Sequence, residues 1–264
     1  MAAPLLCFAV VAAAAFVGAS GQELTADYYD EACPQALSAI KLVVGSAIVK
    51  EPRMGASLVR LHFHDCFVNG CDGSILLDDT EDMVGEKTSK ANNMSVRGFG
   101  VIDAIKTAVN TACLGNVVSC ADILAVAARD SIVALGGSSY DVLLGRRDAT
   151  TASLHDADDS IPNPFMDQPE LLANFQAQGL SLRDLVGITQ GRALLHTDQQ
   201  LYLGDGGDSD ALVQYYAENP DKFWEDFGAA MLKLGGLGLL TGEDGEVRRT
   251  AGSYRGDRRW RALG

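Results

Sequence analysis

Positive charge is scarce in this chain. Lys and Arg together number 21 against 35 Asp and Glu, leaving a formal net charge of −14. A surface of that sign is repelled by nucleic-acid backbones and by anionic bilayers, so neither nucleic acid nor membrane is expected as a partner. Long apolar runs are missing too. Leu5 to Val17 is the single extended one, and it falls short of the roughly 20 residues that a membrane span needs. Alternation between apolar and polar residues is nearly absent, which argues against a sheet protein. The chain has no G-x-S-x-G, no H-E-x-x-H and no G-x-x-x-x-G-K-[ST], so the common hydrolase and nucleotide signatures are excluded. Gly235-Gly-Leu-Gly238 follows a helical pattern and makes no dinucleotide loop.

What is present points outward from the cell. The run Leu5 to Val17 ends in Gly18-Ala19-Ser20-Gly21, small residues that fit a secretory cleavage site before Gln22. Residues 1–21 are therefore expected to be a signal peptide. Its loss takes Cys7 and leaves Cys33, Cys66, Cys71, Cys113 and Cys120. In a secreted chain such residues pair, so two disulfides and one unpartnered thiol are expected. Hydrophobic residues make up 47% of the chain, enough for the core of one domain.

The punctuation is helical throughout. Pro34 can open a helix carrying Leu37, Ile40, Val44 and Ile48, and Pro52 can open a second running toward Phe67. Ser119 can cap a third through Ala134, which Gly136 and Gly137 stop. Asp167 with Glu170, and Ser181 with Asp184, resemble capping boxes. Pro220 opens a last helix with Phe223, Phe227, Met231 and Leu234, stopped at Gly235. The expected class is mainly α, without internal repeats.

Chemistry concentrates between Arg60 and Asn92. Arg60 and His64 stand four apart on one helix face, with Phe63 beside them. A fixed cation next to an imidazole disfavours its protonation, so His64 is expected to stay neutral and to serve as a base. Oxygen-bearing residues then recur at Asp65, Asp72 and Ser74, with Gly70 and Gly73 permitting tight turns. Carboxylates, a hydroxyl and backbone carbonyls are what a hard Ca²⁺ ion takes, although the EF-hand spacing is missing. An acidic solvated loop is the plainer reading of the same residues. His62 and His64 are on different faces of a helix, so they make no zinc pair.

The run Arg60-Leu-His-Phe-His-Asp-Cys-Phe-Val-Asn-Gly-Cys-Asp-Gly-Ser74 resembles the distal motif of secretory plant (class III) haem peroxidases. Glu86-Lys87, Asn92 with Arg97-Gly98-Phe99, Val118-Ser-Cys-Ala-Asp122, Leu144-Gly-Arg-Arg-Asp148, Ile161-Pro162 and Leu195-His-Thr-Asp-Gln199 are similar to the same family. The resemblance implies a haem-peroxidase-like helical domain over 22–247 that reduces hydrogen peroxide and oxidises phenolic donors. Oxidative stress and cell-wall phenolic metabolism would be its setting, and a monomer is expected, secreted to the cell exterior or wall. It implies haem b and one distal calcium as cofactors. His64 would be the distal base, Arg60 would stabilise developing charge, and Asn92 would accept a hydrogen bond from His64. Calcium would be held by Asp65, Asp72, Ser74 and the carbonyls of Val68 and Gly70, with Glu86 in support. Pro162 would meet the donor, and Cys33–Cys113 and Cys66–Cys71 would be the disulfides.

Two departures accompany the resemblance. After Val186 the chain reads Gly187-Ile-Thr-Gln-Gly-Arg192 and then resumes at the Leu-Leu-His-Thr-Asp-Gln segment. A stretch carrying the axial His of the family is missing near 187–193, so the domain is truncated in its proximal half. Asp198 loses its usual partner and no axial ligand is identified; His196 could serve only if the chain repacked, and His155 reads as surface in an acidic loop. The family's terminal Arg-x-x-Cys is missing too, which makes Cys120 the unpartnered thiol and 248–264 a basic, disordered tail. These departures leave an alternative: a catalytically inactive, secreted calcium-binding relic, or a misassembled gene model. One sequon, Asn93-Met-Ser95, is present, and the neighbouring Asn92 leaves its use open.

Overall fold

The computed structural model describes residues 23–189 and 199–254. The expected helices form where their periodicity placed them. Helix α1 (Ala36–Lys50) buries Ile40, Val44 and Ile48, and α2 (Arg53–Cys66) starts after Pro52. Helix α3 (Phe99–Ala112), which the sequence punctuation did not offer, buries Ile102, Ile105 and Val109 on one face. Ser119 caps α4 (Cys120–Ala134), its hydroxyl accepting from the Asp122 amide at 3.1 Å. A short α5 (Leu154–Ser160) runs where an acidic loop was expected around His155, because Ser153 caps it.

The second half contains α6 (Gln168–Ala177), α7 (Leu182–Thr189), α8 (Asp208–Glu218) and α9 (Pro220–Leu234). The two expected capping boxes part company here. Ser181 and Asp184 do form one, with the Ser181 amide donating to Asp184 at 2.8 Å and the Asp184 amide to the Ser181 hydroxyl at 3.3 Å. Asp167 makes no side-chain cap to α6. Among the described residues there are isolated β-bridges and no longer strand, so the chain is mainly α as expected.

Helix α2 divides two apolar clusters. Its Leu58 and Leu61 join α1, α3 and α4 in one, while Phe67 and Cys66 look into the other, built with α6, α7 and α9. The first cluster is pinned by Cys33–Cys113, which ties residues 80 apart. It is also pinned by a buried network. Asp122 accepts from Tyr29 at 2.7 Å, from the Gly145 amide at 2.8 Å and from the Arg146 guanidinium at 2.9 Å. Such a fully bonded carboxylate stabilises the fold because each acceptor lone pair has a donor.

The packed body runs past the boundary expected at 247. Arg248 is 1% exposed, and its amide donates to Asp148 at 2.8 Å while its guanidinium donates to the Gly73 carbonyl. Ala251 and Ser253 are buried as well. The expectation read Arg248 by its charge alone; a buried Asp148 supplies the partner that lets the guanidinium leave water. Residues 255–264 of that expected tail, the expected signal peptide 1–21, and His196 and Asp198 lie outside the described residues.

Candidate active site and metal centre

The last turns of α2 place Arg60 and His64 as the spacing demands. Arg60 Nε donates to His64 Nε2 at 3.0 Å. On the other side of the ring, His64 Nδ1 lies 2.6 Å from Asn92 Oδ1. An amide oxygen can only accept, so Nδ1 carries the proton and Nε2 is the basic lone pair. Asn92 is held in turn, its Nδ2 donating to the Glu86 carbonyl at 2.9 Å. His64 is 4% exposed. Burial first, and the Arg60 charge second, drive its pKa down to about 3, with Asn92 opposing. The sequence argument from Arg60 thus had the direction right and the larger cause missing.

The aromatic wall is larger than the sequence suggested. Phe63 meets His64 edge-on at 5.7 Å, and it packs on Phe67 at 4.2 Å and Phe175 at 5.8 Å. Arg60 closes the other edge, donating to the Ser95 hydroxyl at 2.8 Å and to the carbonyls of Ser95 and Ala91 at 3.3 Å each. The Ser95 contact with Arg60 escaped the sequence reading, which met Ser95 only as the third residue of the Asn93 sequon.

The oxygen-bearing loop closes into a buried acidic cluster. Asp65 is 0%, Asp72 6%, Ser74 3% and Glu86 0% exposed. Asp65 accepts from the Gly73 amide at 3.0 Å and Asp72 from the Ser74 amide at 2.9 Å. Gly73 has φ +71, and a Cβ there would strike the Arg248 guanidinium, so glycine is required. Val68 donates its amide to the Asp65 carbonyl, and the Gly70 carbonyl accepts from the Asp72 amide, which curls both residues around the cluster. Both carboxylate oxygens of Glu86 and the hydroxyl of Ser74 are buried without a hydrogen-bond partner. Burial, then repulsion from Asp72 and Glu86, holds the Asp65 carboxyl well above its ordinary range. Burial, with repulsion from Asp72, pushes Glu86 up to about 8. Buried carboxylates that repel one another around unpartnered oxygens suit a hard divalent cation.

Other candidates lie elsewhere. His62 is 2% exposed on the opposite face, 3.7 Å from the Cys66 sulfur. His62, Cys66 and Cys71 come together, but both sulfurs are spent in the Cys66–Cys71 disulfide. The Cys33–Cys113 and Cys66–Cys71 pairings are those expected, and Cys120 is free and buried. Pro162 is half-buried on the loop after α5, next to Ile161 of the Phe67–Phe175 cluster. The His155 side chain is 82% exposed beside Asp156 and Asp159.

A neutral distal imidazole, an arginine on its basic nitrogen and a helical body split by α2 define a haem-peroxidase-like protein. The chain belongs to the peroxidase family, within its plant class III branch; the peroxidase family model matches residues 40–219. It is 42% identical to a peroxidase of Medicago truncatula, Peroxidase RIP1, over 308 residues, covering 92% of this chain and 95% of that one. Peroxidase 4 of Vitis vinifera is also 42% identical, covering 90% of this chain and 94% of its own. The matched stretch of 308 residues is longer than the 264-residue chain, so that relative carries internal residues this chain lacks. The TL29 protein of Arabidopsis thaliana has the same fold, with a TM-score of 0.61 at 22% identity over 80% of this chain and 96% of that one. By family the activity is that of a haem peroxidase.

Proposed function

We propose that this chain is a secreted peroxidase of the cell exterior or wall that reduces hydrogen peroxide and oxidises phenolic donors reaching it past Pro162. The observation that carries this reading is the His64 tautomer, with Nδ1 committed to Asn92 and Nε2 left as the base. Haem, when bound, supplies the redox chemistry of peroxide reduction. His64 Nε2 takes a proton from hydrogen peroxide once the substrate displaces Arg60 Nε from that lone pair. Arg60, still anchored by Ser95 and Ala91, offers its guanidinium to the negative charge left behind. The Phe63–Phe67–Phe175 wall excludes water from the ring.

The distal residues fit haem chemistry, while the described residues supply no axial ligand. His62 faces the disulfide, His64 is committed to Asn92, and His155 is on the surface. This favours a second reading, a peroxidase relic that keeps calcium as its ligand. Calcium would be held by Asp65, Asp72, Ser74 and Glu86, with carbonyls from Val68 and Gly70. The two readings separate in one visible spectrum of the secreted protein after reconstitution with haem and calcium. A Soret band at stoichiometric haem, with turnover lost in His64→Ala, is the expected result. Equal turnover in wild type and His64→Ala would remove the proton-transfer role. A folded protein with no band is the relic.

A further inference from the structure

We propose that His62, Cys66 and Cys71 form a three-ligand zinc site in the thiol state of the chain, the state that precedes the Cys66–Cys71 disulfide and to which a dithiol returns it. The site is separate from the acidic cluster, and it stands independently of the peroxidase reading. One His62 nitrogen and the two sulfurs lie within 4.8 Å of one another, and all three residues are buried. Both ring nitrogens are near the Cys66 sulfur, Nδ1 at 3.7 Å and Nε2 at 3.8 Å. Around a tetrahedral zinc, bonds of about 2.3 Å to sulfur and about 2.0 Å to nitrogen set those two atoms about 3.5 Å apart.

His62 is the member that the fold leaves unexplained. It is 2% exposed, and its ring has no oxygen or nitrogen partner among the described residues. Burying an imidazole with its nitrogens unpaired costs free energy, and a bond to a metal offsets that cost. The ring also lines a partly open cavity of about 30 Å³ with Tyr140 and Arg146, which gives the ion a way in and a place for water in its fourth position. The Leu234 carbonyl, 2.9 Å from the Cys71 sulfur, is the other oxygen at hand. Two thiolates and an imidazole form a soft to borderline set that selects zinc over calcium. The two thiolate charges cancel that of the ion, so the site is neutral beside the Arg146 guanidinium.

The loop keeps its own bonds without the disulfide. Phe67 and Val68 donate their amides to the carbonyls of Phe63 and Asp65 at 3.2 and 3.1 Å, and the Cys71 amide donates to Leu237 at 3.0 Å. The disulfide spans only five residues, so it restricts the unfolded chain less than Cys33–Cys113 does across its 80. When a dithiol opens it, two hydrogens pass to the two sulfurs and the dithiol leaves as its own disulfide. Zinc then displaces one proton from each thiol to solvent, and that step oxidises and reduces nothing. Zinc and disulfide exclude each other, so the ion staples the end of α2 in the state where the covalent bond is missing.

The test titrates cobalt(II), a spectroscopic substitute for zinc, into the full chain reduced with a phosphine, kept free of oxygen and given excess calcium. One equivalent is expected to raise a thiolate-to-cobalt charge-transfer band, which carboxylates cannot give, and zinc is expected to bleach it. The Cys66→Ser/Cys71→Ser double variant keeps Cys33, Cys113 and Cys120 and is expected to show no band. His62→Ala is expected to weaken cobalt affinity by at least about tenfold while its far-UV dichroism stays that of the reduced wild type. His62→Gln, which keeps a polar tip in the cavity, is expected to weaken it likewise and serves where the alanine variant fails to fold. A reduced wild type that raises no band, folded or unfolded, would overturn the proposal. So would a full band in the double variant, or affinity unchanged in the His62 variants.

Discussion

The two sides of α2 are built by different means. On the side of α1, α3 and α4, the structure is held by Cys33–Cys113, which ties residues 80 apart, and by the buried Asp122–Arg146 pair, whereas the disulfide on the other side, Cys66–Cys71, spans only five residues. On the side of α6 to α9, the ion pairs are half in water: the Lys233 and Arg183 side chains are 56% and 57% exposed where they meet Asp184 and Asp226. Exposed apolar residues do not separate the two sides: α1 shows Leu42 at 72% and Val49 at 86%, the second side Leu203 at 53% and Tyr202 at 50%. Arg60 and His64 on α2 keep the partners that the distal role proposed for them requires, while no described residue on either side supplies an axial ligand. A shared fold therefore does not imply equal completeness of its halves, and the distal chemistry can be intact while the proximal chemistry is not.

The largest expected effect would sharpen that contrast. At a thousandfold excess over its dissociation constant, calcium should add about 4 kcal/mol, or roughly 10 °C in melting temperature, by mass action alone. The gain depends on pH with a definite sign. In the metal-free chain Glu86 titrates near 8 rather than near 4.5, so the folded state holds a proton that the unfolded state releases. Stability without calcium then falls as pH rises through that window, and the calcium increment grows across it. Acidification acts the other way through His62 and His64, both lowered to about 3 by burial. Between about 6.5 and 3 the unfolded chain binds protons that the fold refuses, so stability declines as pH falls. Identical melting curves with and without calcium at pH 8 would erase the asymmetry between the halves.

Next in size is Phe175→Ala. Phe175 is fully buried and bridges α6 to Phe63 and Phe67, so its removal should destabilise by about 3–5 kcal/mol in urea unfolding. Two separate unfolding transitions in that variant would show that this contact alone welds the halves; a change under about 1 kcal/mol would show that they were never coupled through it. Ser119→Ala removes the cap of α4 and should lower stability by about 1 kcal/mol. Smallest is Lys233→Met, which breaks a half-exposed pair and should shift unfolding by less than about 1 kcal/mol. A reversed order of the last two would mean that the second side leans on its ion pairs more than their exposure suggests.

Much of this was legible in the sequence. Arg60 and His64 were placed on one face by spacing alone, and the helices opening at Pro52, Ser119 and Pro220 followed from their punctuation. The residues proposed to hold calcium were readable as a composition, but their convergence on Glu86 is a contact that no local pattern encodes. Arg248 was misread because its partner lies a hundred residues away, at Asp148. Tyr29 was passed over for a similar reason, since its hydroxyl matters through Asp122. The helix α5 escaped because Leu154–Ser160 is too short and too acidic to show a periodicity.

The Arg248 contact also sets a schedule for making the protein. Its guanidinium reaches the carbonyl of Gly73, whose amide is bonded to Asp65. During synthesis the ribosome delivers the acidic loop early, yet that loop lacks one of its walls until residue 248 has emerged. A nascent chain stalled before residue 248 would hold Asp148 without its cation and the loop open on one side. If the loop holds calcium as proposed, capture of the ion is a late event, coming as residue 248 closes behind the loop.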